Sequence, residues 1–278
     1  MAGWPDWLRG TAHGAADHRF QPRPLPRERS QPAGGLAVGL KDALREGESL
    51  WFGWSGKQVQ LHGGDPVPRL DRVDNVTYAT IDLTPLQYEG FYQNFSNGIL
   101  WPLFHYRVGL MNYSRTDWET YLAVNAMFAR TLLPLLRPDD VIWVHDYHLF
   151  PLGQALRDLG VNCRIGFFLH IPFPPWSLVR SLPGAELLLE DMQAYDLVGV
   201  QTPEDAENLN HSLEANGLPA RGQAFPIGID PDEFRAQAEK ACRARKWSGW
   251  KAACAGPGWC WGGPAGLFQG PARAVPWL

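Results

Sequence analysis

The feature that most constrains the fold of this sequence is an alternation of short apolar runs with helix-forming segments between residues 141 and 230. The runs DVIWVH, CRIGFFLHIPFP, DLVGVQT and QAFPIGID are each predicted to contain a strand. The segments between them, PLGQALRDLG, GAELLLEDMQAY and PEDAENLNHSLEANG, are predicted to be helices. Near-continuous apolar strands that alternate with helices are typical of a parallel sheet with helices on both faces. The sequence therefore predicts a doubly wound α/β fold.

The segment before residue 141 adds further elements to this sheet. A helical stripe of leucines four residues apart, Leu36, Leu40 and Leu44, is closed by Gly47. The segments SLWFGWSG and VTYATIDL are predicted to be strands. Residues 117–136 have apolar side chains at helical spacing, with Thr116 as the predicted N-cap.

The two ends of the chain differ in composition from the segment between them. Residues 1–33 carry many prolines and arginines without a regular period, and we expect them to be disordered or non-native. Residues 235–278 are expected to form a divergent, disordered tail, because five tryptophans, seven glycines and four prolines fall within residues 247–278. Such a mixture is typical of a GC-rich gene read in the wrong frame, and the alternative is a genuine low-complexity tail. The globular lobe is predicted to span residues 34–234.

Composition excludes several classes of protein. The formal net charge is −4 and no long basic run is present, which argues against a nucleic-acid-binding protein. No stretch approaches 18 apolar residues, so we expect no transmembrane helix, and the N-terminus lacks the apolar core of a secretory signal. The four cysteines form no CxxC pair, so we expect neither a disulfide framework nor a zinc site, and we expect a cytoplasmic location.

Polar residues follow the predicted parallel strands at the point where each strand ends. In an open parallel sheet, ligands bind beyond the carboxyl ends of the strands. The residues placed there are His145 and Asp146, His170, Gln201 and Thr202, and Gly228, Ile229 and Asp230. The sequence predicts that they converge on one ligand-binding crevice, and the alternative is that each is a solvated turn residue or a helix cap.

The segment HDYH, with His145, Asp146 and His148, has the residue types of a metal site. Adjacent residues of an extended segment point to opposite faces, however, so His145 and Asp146 are not expected to share an ion. A carboxylate at a strand end is better suited to accepting hydrogen bonds from sugar hydroxyls. We therefore predict no metal and favour a sugar-binding role for Asp146.

Two further segments have a ligand-binding interpretation and a plainer one. Gly34 and Gly35 precede a predicted helix, where glycines let the backbone approach a phosphate, although a flexible turn explains them equally well. The aromatic segment FYQNFSNGILWPLFHY contains Tyr92, Trp101 and Tyr106, which could form a wall for a sugar. The plainer interpretation of that segment, ordinary helix packing, fits the pattern better.

Six blocks of the sequence carry a resemblance to a known family. In order, they are AGGLAVGL, LWFGWSG, FYQNFSNGILWPLFHY, IWVHDYHL, RIGFFLHIPFP and FPIGID. Together, over Pro32 to Phe234, they closely resemble the N-terminal half of the trehalose-6-phosphate synthases, retaining glycosyltransferases of family 20 with a GT-B fold. The resemblance implies a single Rossmann-like lobe of a GT-B enzyme, with the second lobe missing from this chain.

The resemblance also implies a reaction and its ligands. Family members transfer glucose from UDP-glucose to glucose 6-phosphate and form α,α-trehalose 6-phosphate without a metal ion or another cofactor. Gly34 and Gly35 match the glycine loop that touches the donor. Tyr92 matches a ligand of the acceptor phosphate, and Trp101 matches the aromatic residue that shapes the pocket of the acceptor sugar.

Two residues match the family's reacting centre. Asp146 resembles the carboxylate that holds the acceptor hydroxyls, and His170 resembles the histidine near the donor glucose, where charge develops in the transition state. The family is thought to react by front-face displacement, in which the leaving phosphate helps to take the acceptor proton. The resemblance therefore requires no protein nucleophile, and Asp146 and His170 are the residues expected to take part in catalysis.

The sequence departs from the family pattern in two places. The family opens with a strand whose arginine binds the acceptor phosphate, but PRPLPRERSQP stands there, and no predicted strand presents Arg27 or Arg29. Residues 235–278 show no match to the Arg…Lys pair that binds the donor diphosphate. We therefore expect this chain alone to be inactive. One alternative is that the chain is a non-catalytic binding or regulatory partner of a full-length synthase, and it could associate with a second copy of itself or with that synthase. Another alternative is a GT-B enzyme that uses a different acceptor.

Overall fold

The computed structural model describes residues 12–16, 48–60, 63–228, 231–232 and 235–236. The chain divides into two compact units, Met1–Ile227 and Gly228–Leu278. In the second unit, Arg235 Nη1 donates a hydrogen bond to Asp232 Oδ1 at 2.7 Å. All the elements described below belong to the first unit.

The first unit is built on an eight-stranded sheet in the order β3-β4-β2-β1-β5-β6-β7-β8. Every neighbouring pair is parallel except β3 and β4, which form an antiparallel hairpin at one edge. The strands are β1 (Ala12–Ala16), β2 (Ser49–Gln58), β3 (Arg69–Val73), β4 (Val76–Leu83), β5 (Val141–His145), β6 (Arg164–Phe168), β7 (Leu197–Val200) and β8 (Gly222–Ala224). The predicted parallel α/β sheet is therefore confirmed.

Strand β1 lies at the centre of the sheet, between β2 and β5. The chain extends the sheet in one direction through β2 and β4, and in the opposite direction through β5, β6, β7 and β8. The strand order thus reverses between β1 and β5, and open α/β sheets bind ligands outside the carboxyl ends of the strands at such a point. Ala16 pairs with His145, the last residue of β5. Asp146, the next residue, therefore lies at the switch point.

Strand β1 lies within residues 1–33, whose composition predicts no regular element. Its residues, AHGAA, have neither the β-branched side chains nor the alternation that indicates a strand. The strand is defined by parallel pairing to two neighbours, which local propensity does not report. The strand also lies upstream of PRPLPRERSQP, the segment that occupies the place of the family's opening strand. Gly34, Gly35 and the leucine stripe at 36–44 lie outside the described residues.

The helices cover the sheet and place the side chains of the site. A continuous helical run, α1, consists of Pro85–Gln87, a π-helix at Tyr88–Leu100, and Trp101–Phe104. The other helices are α2 (Arg115–Leu132), α3 (Leu152–Asp158), α4 (Trp176–Val179), α5 (Ala185–Asp191) and α6 (Pro203–Ala215). Short 3₁₀ turns cover Val108–Leu110, Leu133–Leu135, Tyr147–Leu149 and Met192–Ala194.

One helix cap differs from the prediction. Helix α2 begins at Arg115, and Ser114 caps it by accepting a hydrogen bond from the Asp117 N–H. Thr116, the predicted cap, lies inside the first turn and is exposed. Serine and threonine are nearly equivalent at this position, so the pattern alone does not choose between them.

The hydrophobic core is formed where the helices pack on the strands. Buried strand residues include Phe52, Ile142, Val144, Ile165, Phe167 and Val198. They contact buried residues of α1 and α2 such as Phe91, Phe95 and Phe128. Within the described segments, no helix combines the length and the hydropathy needed to cross a bilayer.

Candidate functional site

Asp146 is held in an unusual backbone conformation at the carboxyl end of β5. Its φ and ψ are 70° and 168°, a region that is almost reserved for glycine and costs of order 1–3 kcal/mol for other residues. Its N–H donates to the Phe168 carbonyl at 2.7 Å, which continues the β5–β6 pairing by one residue. Its Oδ1 accepts hydrogen bonds from the N–H groups of Tyr147 and His170, each at 3.2 Å. The carboxylate is thereby oriented by the ends of two neighbouring strands.

His170 follows β6 and lies beside Asp146 as an uncharged imidazole. Burial lowers the pKa of His170 to about 4, because the surrounding protein removes the water that would stabilise the charged ring. Its Nε2 lies 3.1 Å from His145 Nδ1, so one of these two nitrogens is protonated and donates a hydrogen bond to the other. His145 is itself buried and packs against Trp143, with ring centroids 4.6 Å apart. At neutral pH the site therefore presents an uncharged His170 imidazole, paired with His145, next to the Asp146 side chain.

Tyr92 lies against the turn that follows Asp146. Its ring stacks on His148, with centroids 5.3 Å apart and an interplanar angle of 17°. Its ring centroid also lies 5.4 Å from that of Trp54 and 5.6 Å from that of Tyr88. His148 is only 2% exposed, so it joins Tyr92 to the segment that carries Asp146. Tyr92, Asp146 and His170 thus belong to one neighbourhood of the molecule.

The π-helical geometry of α1 decides which way its aromatic side chains point. The Trp101 N–H bonds to the Ser96 carbonyl five residues earlier, as a π-helix requires. Tyr92 and Trp101 are nine positions apart, which is about two and a half turns of an α-helix and would place them on opposite faces. A π-helix has roughly four and a half residues per turn by extension of the 3₁₀ and α series, so nine positions return to nearly the same face. Phe91 and Leu100, also nine apart, are accordingly both buried.

Trp101 lies at the end of the π-helix with its side chain partly buried. Its ring stacks on His105, with centroids 4.1 Å apart. The His105 ring is fixed in turn by a contact of 2.7 Å between its Nδ1 and the Trp101 carbonyl. Tyr106, the third residue of the predicted aromatic wall, is 50% exposed and has a φ of 61°. Burial raises the pKa of Tyr106, and the charges of Glu204 and Asp205 raise it further.

Two other predicted strand ends have structural roles. The Thr202 hydroxyl accepts a hydrogen bond from the Asp205 N–H at 3.1 Å and caps α6, as the plainer interpretation proposed. Gln201 Oε1 accepts from the Ile227 N–H at 3.4 Å. Gly228 is the first residue of the second unit, and Ile229 and Asp230 lie outside the described residues.

The three polar residues of HDYH have three different surroundings. The His145 ring meets His170, Asp146 Oδ1 accepts from backbone N–H groups, and the His148 ring stacks on Tyr92. In the part of the chain that the structure describes, no three His, Cys, Asp or Glu side chains are grouped as a metal site would need.

Sequence reasoning missed two side chains that complete this neighbourhood. Trp54, near the middle of β2, packs against Tyr92, and Asn97 Oδ1 accepts a hydrogen bond from the Tyr147 hydroxyl at 2.7 Å. Both lie in sequence blocks that carry the family resemblance, LWFGWSG and FYQNFSN. No spacing in the sequence singled out either residue, because their contacts join elements far apart in the chain.

Comparisons with known proteins show the family to which this chain is related. Residues 15–253 match the family model described as Glycosyltransferase family 20. A trehalose-6-phosphate synthase from Klebsiella pneumoniae is 44% identical over 231 residues, which are 77% of this chain and 48% of that protein. A trehalose-6-phosphate synthase from Cronobacter sakazakii is 43% identical over 224 residues, which are 75% of this chain and 46% of that protein. The chain thus spans about half the length of the relatives it matches.

Solved structures show the same relationship. A UDP-forming α,α-trehalose-phosphate synthase from Burkholderia xenovorans in complex with glucose-6-phosphate is 41% identical, with a TM-score of 0.79 over 88% of this chain and 56% of that one. An E. coli structure bound with UDP-2-fluoro glucose is 38% identical, with a TM-score of 0.76 over 88% of this chain and 54% of that one. Both the sequence blocks and the fold therefore agree with the family resemblance, and the chain belongs to glycosyltransferase family 20.

Proposed function

We propose that this chain carries the acceptor-binding half of a glucosyl transfer from UDP-glucose to glucose 6-phosphate, with α,α-trehalose 6-phosphate as the product. The proposal is supported by membership of glycosyltransferase family 20 and by relatives that are trehalose-6-phosphate synthases. It is also supported by two similar structures, one in complex with glucose-6-phosphate and one bound with UDP-2-fluoro glucose.

The observation that carries the proposal is the placement of Asp146. Its carboxylate lies at the switch point of the sheet and is oriented by the N–H groups of Tyr147 and His170. An ionised carboxylate accepts strong hydrogen bonds from hydroxyl groups, the main recognition feature of a sugar. The ring of Tyr92 offers an apolar surface nearby, and Trp101 lies on the same face of α1. We assign acceptor binding to Tyr92, Trp101 and Asp146.

His170 is proposed to lie beside the transferred glucose. Because its pKa is lowered to about 4, it is neutral at physiological pH and can both donate and accept a hydrogen bond. A preorganised neutral dipole in a buried site stabilises developing charge without reorganisation during the reaction. Gly34 and Gly35 stay a prediction for the donor side.

The test is a titration of the purified 278-residue chain with glucose 6-phosphate, with glucose and inorganic phosphate as comparison ligands. Asp146→Asn should raise the dissociation constant for glucose 6-phosphate roughly 10- to 150-fold, the cost of losing a hydrogen bond to a charged group. Asp140→Asn is the matched control, because Asp140 is also a buried carboxylate of the same strand region but lies at its amino end, where Oδ2 accepts from the Arg137 N–H. Equal losses in both variants, or no binding by the wild type, would refute the proposal.

Catalysis is a separate measurement. With UDP-glucose and glucose 6-phosphate together, we expect the isolated chain to release UDP at the background rate, because residues 235–278 contain no match to the donor-binding Arg…Lys pair. Release well above background would refute that part of the proposal.

We also propose a cytoplasmic location, and association with a second copy or with a full-length synthase. The location is supported by the lack of a CxxC pair among the four cysteines, of which the described Cys163 is a free thiol. Light scattering of the chain, alone and mixed with a full-length synthase, would measure its assembly.

A further inference from the structure

The turn that follows Asp146 is held by a row of buried side chains. The backbone carbonyls of the four consecutive residues 147–150 each lie within hydrogen-bond distance of one of three side chains, and those of Leu149 and Phe150 share the single proton of the Tyr195 hydroxyl. The Tyr121 hydroxyl donates to the Tyr147 carbonyl at 2.7 Å, and Asn125 Nδ2 donates to the His148 carbonyl at 3.1 Å. The Tyr195 hydroxyl lies 2.8 Å from the Leu149 carbonyl and 3.0 Å from the Phe150 carbonyl. We call Tyr121, Asn125 and Tyr195 the carbonyl clamp.

The carbonyl clamp supplies hydrogen-bond donors to buried carbonyls that regular secondary structure leaves without them. Residues 147–150 are buried and lie between β5 and α3, so strand ladders and long helices do not supply partners for these carbonyls. A buried carbonyl without a hydrogen bond is strongly disfavoured. The Tyr195 hydroxyl also accepts from the Gly153 N–H at 2.9 Å, so this side chain joins the end of the segment to the first turn of α3.

The chemistry of Asn125 indicates that the clamp serves more than packing. Asn125 is fully buried in the middle of α2, where an apolar residue would favour both the helix and the core. Its Nδ2 bonds the Tyr121 and His148 carbonyls, while its Oδ1 makes no hydrogen bond among the described residues. An unfavourable buried amide is thus retained at the point where it fixes the turn.

The turn begins at Asp146, whose left-handed backbone is kept only if its surroundings determine it. The Leu149 N–H bonds back to the Asp146 carbonyl, so a shift of the turn changes the orientation of Asp146 directly. We propose that Tyr121, Asn125 and Tyr195 are positioning residues that hold Asp146 in its sugar-binding orientation. This inference rests on the proposed function of Asp146.

The test uses Tyr195→Phe, which removes a hydroxyl and keeps the ring, and Asn125→Ala. Their matched controls are Ser212→Ala, which removes a buried hydroxyl bonded to the Asn208 carbonyl, and Asn210→Ala, which removes an amide bonded to the Gly222 carbonyl. In the full chain, each clamp variant should raise the dissociation constant for glucose 6-phosphate about tenfold. The controls should lower thermal stability without this change.

A double variant separates positioning from general destabilisation. If Tyr195 acts through Asp146, Tyr195→Phe should have almost no further effect on binding in an Asp146→Asn background. The same loss of affinity in both backgrounds, or no loss in the wild-type background, would overturn the inference. Amide hydrogen exchange provides a second readout, since the N–H groups of Tyr147 and His170 should exchange faster in both clamp variants.

The two proposals fail in different ways. If the wild-type chain does not bind glucose 6-phosphate, the proposed function is wrong, and amide exchange at Tyr147 and His170 decides whether the clamp orients Asp146. Faster exchange in the clamp variants would uphold that orientation, and unchanged exchange would refute it. If the wild type binds and the clamp variants bind equally well, the clamp inference alone is wrong.

Discussion

Gly153→Ala tests the packing that supports the turn after Asp146. Gly153 lies in the first turn of α3, and intrinsic helix propensity favours alanine over glycine by about 1 kcal/mol. In the folded protein, however, a Cβ at this position would lie 2.6 Å from both Cε1 and Cζ of Tyr195. The Tyr195 ring is fully buried and packs on Phe167 with centroids 5.0 Å apart, so it has little room to move.

The magnitude follows from these opposing terms. Overpacking a core costs about 1–3 kcal/mol, and displacing the Tyr195 hydroxyl weakens hydrogen bonds worth about 0.5–1.5 kcal/mol each. Against a gain of about 1 kcal/mol from helix propensity, we expect Gly153→Ala to lower the free energy of unfolding by about 2–4 kcal/mol. Affinity for glucose 6-phosphate should fall with it, because Tyr195 belongs to the carbonyl clamp.

Urea unfolding measures the stability, and titration with glucose 6-phosphate measures the affinity. Gly109→Ala is the control, because a Cβ at Gly109 meets no atom within 4 Å. A Gly153→Ala protein as stable as the wild type would show that helix propensity outweighs the contact with Tyr195, and the packing argument would then be wrong.

Two further predictions concern stability. Asp191→Asn should raise the free energy of unfolding by up to about 4 kcal/mol at pH 8 and change it little at pH 4, because burial, with the charges of Asp158 and Glu190, raises the pKa of Asp191 to about 7. The folded protein binds the proton of the Asp191 carboxyl group more tightly than the unfolded chain does, so the wild type gains stability as the pH falls from 7 towards 4. If urea unfolding showed the same effect of the substitution at both pH values, the raised pKa of Asp191 would be wrong. Thr202→Ala should lower the free energy of unfolding by about 1–2 kcal/mol through loss of the α6 cap, whereas Thr116→Ala should lower it little because Ser114 caps α2. Thermal unfolding of both variants measures this difference. A larger loss of stability for Thr116→Ala would show that Thr116 is the cap, as the sequence predicted.

The sheet from β5 to β7 was predictable because its strands are buried on both faces. Segments such as DVIWVH and DLVGVQT have the apolar runs that only a covered parallel strand requires, and the helices between them are long enough to recognise. Strands β1 and β3 gave no such signal. Four of the five residues of β1 are alanine or glycine, and β3 is mostly exposed, so pairing with neighbours defines both strands.

The candidate site was predictable to a similar degree. The rule that ligands bind at the carboxyl ends of parallel strands brought Asp146 and His170 together correctly, and their contact is direct. It also suggested Thr202, which the structure shows to be a helix cap. A strand end is therefore informative chiefly where the strand order reverses, and that order depends on β1.

The sequence by itself predicted the fold class, the succession of strands and helices from β5 onwards and a ligand site around Asp146 and His170, because apolar periodicity and strand ends are properties of neighbouring residues. The roles of Tyr92 and Trp101 were predicted from the family resemblance. The tertiary structure alone decided that β1 completes the switch point, that a π-helix turns Tyr92 and Trp101 towards one face, and that Tyr121, Asn125 and Tyr195 hold the turn after Asp146. The pairing of β1 and the carbonyl clamp depend on hydrogen bonds between residues that are distant in the chain, whereas the π-helix depends on bonds between residues five apart. Distant partners are chosen by the packed geometry, which no local pattern encodes.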